Sequence, residues 1–359
     1  MSKEGINTTL LLGYILLSVL NFYVPHVVKT ILSLFFLLVP TIMGVKYLLG
    51  QKKLASLVAL LVFVFVMART VNLSFSLAGF YIIPNTIMAF FLLREKFNIR
   101  IIKWSYLLLC GFYISLGLRG LELDTYFNDA SRNLISVIIL TFVATIYILE
   151  YKENTAFSFW PIIPAIVVCV MAVGRSGIIC SLLLLFFYLL SKINSVKRLL
   201  LLIAIVGGGI TWYANDIVDI YDDAFAKTRF AAEGIESEDR NLLLNTYLSN
   251  MNVKTFMFGY DYTNNLLFNS LDNNAHNSFV RLHHFMGWSF FFFIIVFFQS
   301  GIRLCRGYFF LASVFFVLLV RGTVDNIFFF EKYDFILYAF CLIANKKYIY
   351  SENTISAKI

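Results

Sequence analysis

Histidine is the side chain best suited to take a proton near neutral pH. Three of the chain's four histidines, His276, His283 and His284, fall within nine residues. They sit in Asn274-Ala275-His276-Asn277-Ser278-Phe279, followed by Arg281, His283, His284 and Gly287. His276 could act as a general base, with Asn277 and the neighbouring amides holding its tautomer or a sugar hydroxyl. It could equally be a solvated loop histidine. A metal site is the weaker reading, because adjacent His283 and His284 point apart on a helix and ligation needs convergent geometry.

Arginines supply the second chemistry. A planar guanidinium binds oxyanions through two parallel hydrogen bonds, which a lysine cannot do. Gly174-Arg175-Ser176-Gly177 forms a turn between two apolar runs with almost no polar linker. Arg175 therefore lies near the apolar boundary, where a charge costs about 2.5–3.5 kcal/mol at depth unless satisfied. It either grips a ligand or snorkels to the interface. Arg240 heads a helical stretch, with Arg229 eleven residues earlier. Helix N-termini carry partial positive charge and free N–H groups, so an arginine there reinforces an anion site. Pairing with Glu236, Glu238 or Asp239 is the alternative for Arg240.

A further run, Arg321-Gly322-Thr323-Val324-Asp325-Asn326 followed by Glu331 and Asp334, offers carboxylates that could orient a base or bind a sugar. Asp325 could also simply pair with Arg321. Arg119 and Arg132, with Glu122, Asp124 and Asp129, are a weaker group. No GxGxxG, P-loop or loop DxD pair occurs, so the sequence points to neither a nucleotide cofactor nor a metal. An enzyme on the outer face of a membrane would need a donor already activated and anchored in lipid.

The elements that must position these residues follow from composition. Of 359 residues, 60% are hydrophobic and 14% charged, against roughly 45–50% and 25% in a soluble domain. A water-soluble fold and a disordered chain are both excluded. The apolar excess runs from end to end, which excludes a single anchor and leaves an all-α polytopic membrane protein. About twelve segments have the length of a span, roughly 20 residues. They centre on residues 8–24, 28–45, 54–70, 73–93, 101–118, 133–150, 157–174, 176–191, 198–214, 284–301, 307–321 and 327–344. The first run has no small-residue cleavage site, so no removable signal peptide is expected. The five cysteines, Cys110, Cys169, Cys180, Cys305 and Cys341, lie in apolar runs and read as buried small hydrophobes.

Alternating the connections puts Lys3, Lys46, Lys52, Lys53, Arg94, Lys96, Arg100, Lys103, Lys152, Lys192, Lys197, Arg198, Arg303, Arg306, Lys346 and Lys347 on one side. By the positive-inside bias that side is cytoplasmic, with both termini. The net charge of +8 belongs to this topology and implies no nucleic-acid partner. The other side is richer in arginine: Arg69, Arg119, Arg132, Arg175, Arg229, Arg240, Arg281 and Arg321, with Lys29, Lys227, Lys254 and Lys332. One outer connection, residues 215–283, is long while the others are short, and long loops in compact proteins are usually functional. Within it, Leu242, Leu243, Tyr247, Leu248 and Met251 recur near helical spacing. This predicts an amphipathic helix over 239–257 lying on the membrane surface, capped by Ser237 and ended by Gly259. The expectation is one transmembrane domain, 1–359, with the 215–283 loop inserted between two spans.

In this order and spacing the chain resembles the O-antigen polymerase and ligase superfamily of bacterial envelope glycosyltransferases. The likeness rests on the GRSG turn opening a span, the long outer loop whose helix begins with an arginine and ends in FGY, and HNSF leading into a span with Gly287. It covers about residues 165–300; the RGTVDN and EKYD tail is also similar to polymerases of this group. The resemblance implies a GT-C-like fold in the inner membrane with a periplasmic active face. It implies a metal-independent, inverting transfer from an undecaprenyl-diphosphate glycan, with His276 as base. Arg175 and Arg240 would hold the diphosphate, Arg229 or Arg281 would be a further phosphate ligand, and Asn277, Arg321 and Asp325 would support them. Polymerisation of O-antigen repeat units is the expected activity, with a chain-length regulator and a flippase as partners. Transfer of the glycan to lipid A–core, and transport of a lipid-linked oligosaccharide, are the alternatives.

Overall fold

The computed structural model describes residues 2–21, 24–74, 76–119, 133–172, 174–193, 238–271 and 273–345. Among these there are helices and no strands. In chain order they are α1 (Lys3–Leu20), α2 (His26–Leu49), α3 (Lys52–Val71), α4 (Ile82–Arg94), α5 (Ile99–Leu118), α6 (Asn133–Lys152), α7 (Ile162–Met171) and α8 (Arg175–Ser191). After the undescribed stretch come α9 (Glu238–Ser249), α10 (Val253–Phe258), α11 (Leu266–Asn269), α12 (Ser278–Met286), α13 (Phe290–Gly307), α14 (Phe309–Gly322) and α15 (Asp334–Ala344). Every expected span contains a helix except 198–214, which lies outside the described residues, as do Arg132, Arg229, Ser237 and the 215–237 part of the loop.

Five stretches are long and apolar enough to cross a membrane: Val27–Leu49, α3, α5, α6 and Ser278–Gly307, the last combining α12 and α13. Helices α7, α8, α14 and α15 are apolar but shorter, as is Ala78–Arg94, which contains α4. The protein is an all-α chain whose apolar helices mark membrane association.

Helix α6 is 89% buried along its apolar window, whereas Val27–Leu49 is 17% and α3 22% buried. Helix α6 thus forms the middle of the bundle, touching α4, α5, α7, α8, α14 and α15. The outer helices turn apolar side chains outward: Ile31, Leu38 and Ile42 on α2, Leu60 and Phe63 on α3, and Trp104 and Leu108 on α5. In water such faces would be a liability; against lipid they are the ordinary solvent contact. At the lysine-rich end, Lys103 pairs with buried Glu150 at 2.6 Å and Lys3 pairs with Glu95 at 3.1 Å, tying the loops together there.

Two expectations need correction. The helix predicted over 239–257 is two helices, α9 and α10. Asn252 caps the second: its Oδ1 accepts from the Thr255 N–H at 3.0 Å, and its own N–H donates to Thr255 Oγ1 at 2.7 Å. Local side-chain bonds of this kind outcompete the helical ladder. Of the apolar residues that suggested the helix, Leu243 and Tyr247 are buried whereas Leu242 and Leu248 are exposed. The cysteines also differ from expectation: Cys110, Cys169 and Cys180 are buried, Cys341 is half-buried, and Cys305 is exposed on α13.

Where α10 meets the α12–α13 corner, backbone lies on backbone. Gly259 (φ +84°) faces the carbonyl oxygens of His283 and His284, and Gly287 (φ +54°) faces that of Met257. A Cβ at Gly287 would stand 2.1 Å from the Met257 oxygen, and one at Gly259 2.3 Å from the His284 oxygen. Left-handed backbone alone costs a residue with a side chain about 1–2 kcal/mol. Gly287→Ala and Gly259→Ala are therefore each expected to destabilise the detergent-solubilised protein by more than about 2 kcal/mol, read as a fall in Tm. Wild-type melting of both variants would contradict the packing described.

Candidate functional site

The HNSF segment is stitched onto the loop between α14 and α15. Ser278, fully buried, donates from Oγ to the Asp325 carbonyl at 2.6 Å and accepts from the N–H groups of Ile327 (3.0 Å) and Phe328 (3.1 Å). The Asn326 amide, suitably oriented, donates to the Asn277 carbonyl and accepts from the Ala275 N–H, each at 3.0 Å. Asn277 is the cap of α12, its Oδ1 accepting from Phe279 N (2.9 Å) and Val280 N (3.2 Å). Its carboxamide oxygen is thus committed to the helix N-terminus.

This stitching presents His276. Its backbone adopts φ +48°, a strained region in which histidine is one of the better-tolerated residues. The Asn274 side chain holds it there by accepting from the His276 N–H at 2.9 Å. The half-buried ring places Nδ1 3.5 Å from Asp325 Oδ1. Asp325 Oδ2 accepts from Arg321 Nη1 at 2.8 Å. Arg321 itself is wholly buried and donates further to Ser136 Oγ at 3.1 Å and the Asn133 carbonyl at 2.8 Å. Buried guanidinium, carboxylate and imidazole therefore stand in line. A carboxylate facing Nδ1 makes that nitrogen the N–H, leaving Nε2 with the basic lone pair. The 3.5 Å separation is long, and such contacts commonly tighten only when substrate binds.

Burial pushes the Asp325 carboxyl up, but Arg321, the His276 contact and the Arg240 charge push it down harder, so it is held below the usual carboxylate range. Arg240, half-buried, is the third residue of α9. Arg175 is the first residue of α8, with Gly174 at its N-cap. Gly174 packs on Asn133 and Gly177 on Ser136, the two residues that hold Arg321. Arg175 thus enters at the same end of the bundle, one residue from the Asn133 contact. Arg229 lies outside the described residues. Arg281 donates to Glu331 at 2.6 Å, and Arg321, wholly buried, reaches a ligand only through Asp325.

Beside this line lies a cavity of about 560 Å³ whose wall includes Asn274, Asp325, Asn326, Arg281 and Glu331, a size typical of small-molecule sites. Asn274 and Asp325, which hold the backbone and ring of His276, thus belong to its lining.

The other two clustered histidines are structural. His283 Nε2 lies 3.2 Å from the Phe256 carbonyl and its Nδ1 2.7 Å from the Tyr247 hydroxyl. His284 Nδ1 lies 2.7 Å from the Tyr260 carbonyl and its Nε2 3.1 Å from Arg69 Nη1. A carbonyl only accepts, so the nitrogen facing it carries the hydrogen and the other accepts. Both rings are spent pinning the loop to the bundle. Arg69, which the sequence offers only as one of several outer-face arginines, also donates to the His284 carbonyl and lies over the Phe285 ring at 5.2 Å. Its isolated position in an apolar helix was the available signal. Asp334 likewise serves the backbone, accepting from the N–H groups of Phe329 and Phe330, both at positive φ.

Comparison of the chain with protein-family models, with curated proteins and with solved structures finds no match.

Proposed function

We propose that the chain is a bacterial inner-membrane glycosyltransferase that polymerises undecaprenyl-diphosphate-linked oligosaccharide repeat units on the periplasmic face. It would have about twelve spans, both termini in the cytoplasm, and the loop helices on the outer side. The observation that carries this reading is the Arg321–Asp325–His276 line beside a cavity that Asp325 helps to line.

In the reaction, His276 Nε2 takes the proton of the acceptor hydroxyl on the terminal sugar of a new repeat. The acceptor oxygen attacks the anomeric carbon of the growing chain from the face opposite the diphosphate. The anomeric C–O bond breaks, the electron pair leaves with undecaprenyl diphosphate, and configuration inverts. The leaving group gathers charge as it departs, and fixed guanidinium groups stabilise that charge more than they stabilise the ground state. Arg175 and Arg240 fill this role, with Arg229 and Arg281 as further candidates. A flippase would supply the lipid-linked repeat, and a chain-length regulator would limit the product.

Surface glycan from a strain carrying a deletion of this gene tests the reading. Single repeats attached to the lipid core are expected; complete absence of repeats would instead mark a ligase. Arg175→Ala and Arg240→Ala should each abolish long-chain polymer while the protein still inserts. Arg175→Lys should fail as well, since an ammonium cannot bind a phosphate in bidentate fashion. Normal polymer from both alanine variants would remove the arginines from the mechanism.

A further inference from the structure

A second cavity, of about 510 Å³, lies between α1, α2 and α4 and reaches the lysine-rich end of the bundle. Ile6, Leu10, Gly13 and Leu17 recur every three or four residues, so one face of α1 forms its first wall. Phe35, Val39 and Met43, four apart on α2, form the facing wall, and α4 supplies the floor. Leu10, Phe35 and Met43 remain exposed along it, so the cavity is a groove that opens onto the lipid-facing surface. Gly13 keeps the first wall low. A Cβ there would meet no atom within 4 Å, so no neighbouring side chain demands the glycine. Glycine inside a helix weakens it relative to alanine, and one of its uses is to let a ligand come close.

Among the lining residues, charge gathers at one end only, where Lys3, Lys46 and Glu95 form a mouth. Glu95 is engaged within the protein. Its Oε2 accepts from Lys3 at 3.1 Å and from Asn7 at 3.2 Å, and its Oε1 accepts from the Tyr47 hydroxyl. Lys46 lies over the Tyr47 ring, 5.5 Å from its centre. Two ammonium groups against one carboxylate still leave the mouth positive, whatever their internal partners, because charge acts over roughly 8–10 Å at ordinary ionic strength. Lys52 and Lys53, which open α3 just after Gly50 and Gln51, add to it and outweigh Glu4 in the first turn of α1. An apolar groove with a cationic mouth fits an amphiphile with an anionic head. A soluble anion leaves the walls unfilled, and a zwitterionic lipid brings its own cation to the lysines.

We propose that this groove binds an anionic phospholipid of the surrounding bilayer, one acyl chain lying between α1 and α2 and the phosphate at the Lys3–Lys46 mouth. The walls also touch the segment behind the HNSF cavity. Tyr14, in the same groove, donates to the Lys332 carbonyl at 3.2 Å. Asn85 of α4 donates to the Glu331 carbonyl at 2.7 Å and accepts from the Phe335 N–H at 3.0 Å. A lipid seated between these helices braces that segment. Which leaflet supplies the lipid rests on the topology proposed above; binding itself does not.

The test is thermal unfolding of the purified, delipidated full-length chain in detergent, titrated with phosphatidylglycerol, phosphatidylcholine of the same acyl chains, and undecaprenyl phosphate. A saturable rise in Tm with phosphatidylglycerol, at lower concentration than with either other lipid, is expected. Lys46→Gln should weaken it by about fivefold, the worth of one lysine at an anionic surface. Gly13→Leu should fill the groove and remove the saturable rise. Folding should survive that change, since leucine is the better helix former and the space is open. Equal effects of the two phospholipids, no saturable effect, or unchanged phosphatidylglycerol affinity in both folded variants would overturn the proposal. So would tighter binding of undecaprenyl phosphate, which would assign the groove to a polyprenyl carrier instead.

Discussion

Replacement of His276 by alanine is expected to slow polymer elongation by about 10²–10⁴-fold, the range that one general base contributes, while the protein stays folded and inserted. Folding should survive because the ring is not what holds the segment. Ser278, Asn277 and Asn326 anchor it to the α14–α15 loop, and Asp325 keeps its bond to Arg321. The left-handed backbone at His276 makes His276→Asn the useful companion, since asparagine tolerates that conformation well. Both variants should bind donor and stall. Elongation of repeat units in membrane vesicles measures the effect, and a wild-type rate in either variant would remove the base from the mechanism.

The second large effect belongs to Asp325. In Asp325→Ala, the wholly buried Arg321 guanidinium loses its carboxylate, and an uncompensated buried charge costs about 3–5 kcal/mol. The imidazole loses its orienting partner in the same stroke. Stability and elongation should therefore fall together. Asp325→Asn separates the two roles, because it retains an oxygen for Arg321 but no negative charge to favour Nδ1–H on His276. Its Tm should recover part of the alanine loss while elongation stays low. Combined with His276→Ala, its effect on rate should be far less than additive, as expected for residues acting as one unit.

The pH dependence has a definite sign. With the Asp325 carboxyl held below its usual range, its contribution to stability is fully present at neutral pH. That contribution is lost only as the pH falls below the ordinary carboxylate range. Acid melting that is the same in wild type and Asp325→Asn would contradict this coupling.

Hydropathy alone locates the helices, because each must satisfy its own backbone and expose apolar side chains to lipid. The same signal overran at residues 239–257, where the Asn250-Met251-Asn252 break is a matter of side-chain capping, and apolar spacing carries no trace of it. At the site, residue type sufficed for His276 and for the Arg321–Asp325 pair, which sit four apart and meet on one turn. It could not join them. Asp325 and His276 are 49 positions apart, and Arg69 and His284 are 215 apart. Contacts of that range leave no local periodicity. His283 and His284 looked like chemistry from their crowding, yet carbonyls at Phe256 and Tyr260 claim one nitrogen of each.

The central claim is that protein side chains alone carry a sugar from one lipid diphosphate to the next. The direct measurement is extension of a purified undecaprenyl-diphosphate-linked repeat by the purified chain, with no nucleotide present and chelator in excess. A ladder of lengthened glycans that disappears with His276→Ala is the predicted result. No ladder from active preparations under these conditions, or an undiminished ladder from the variant, would contradict it.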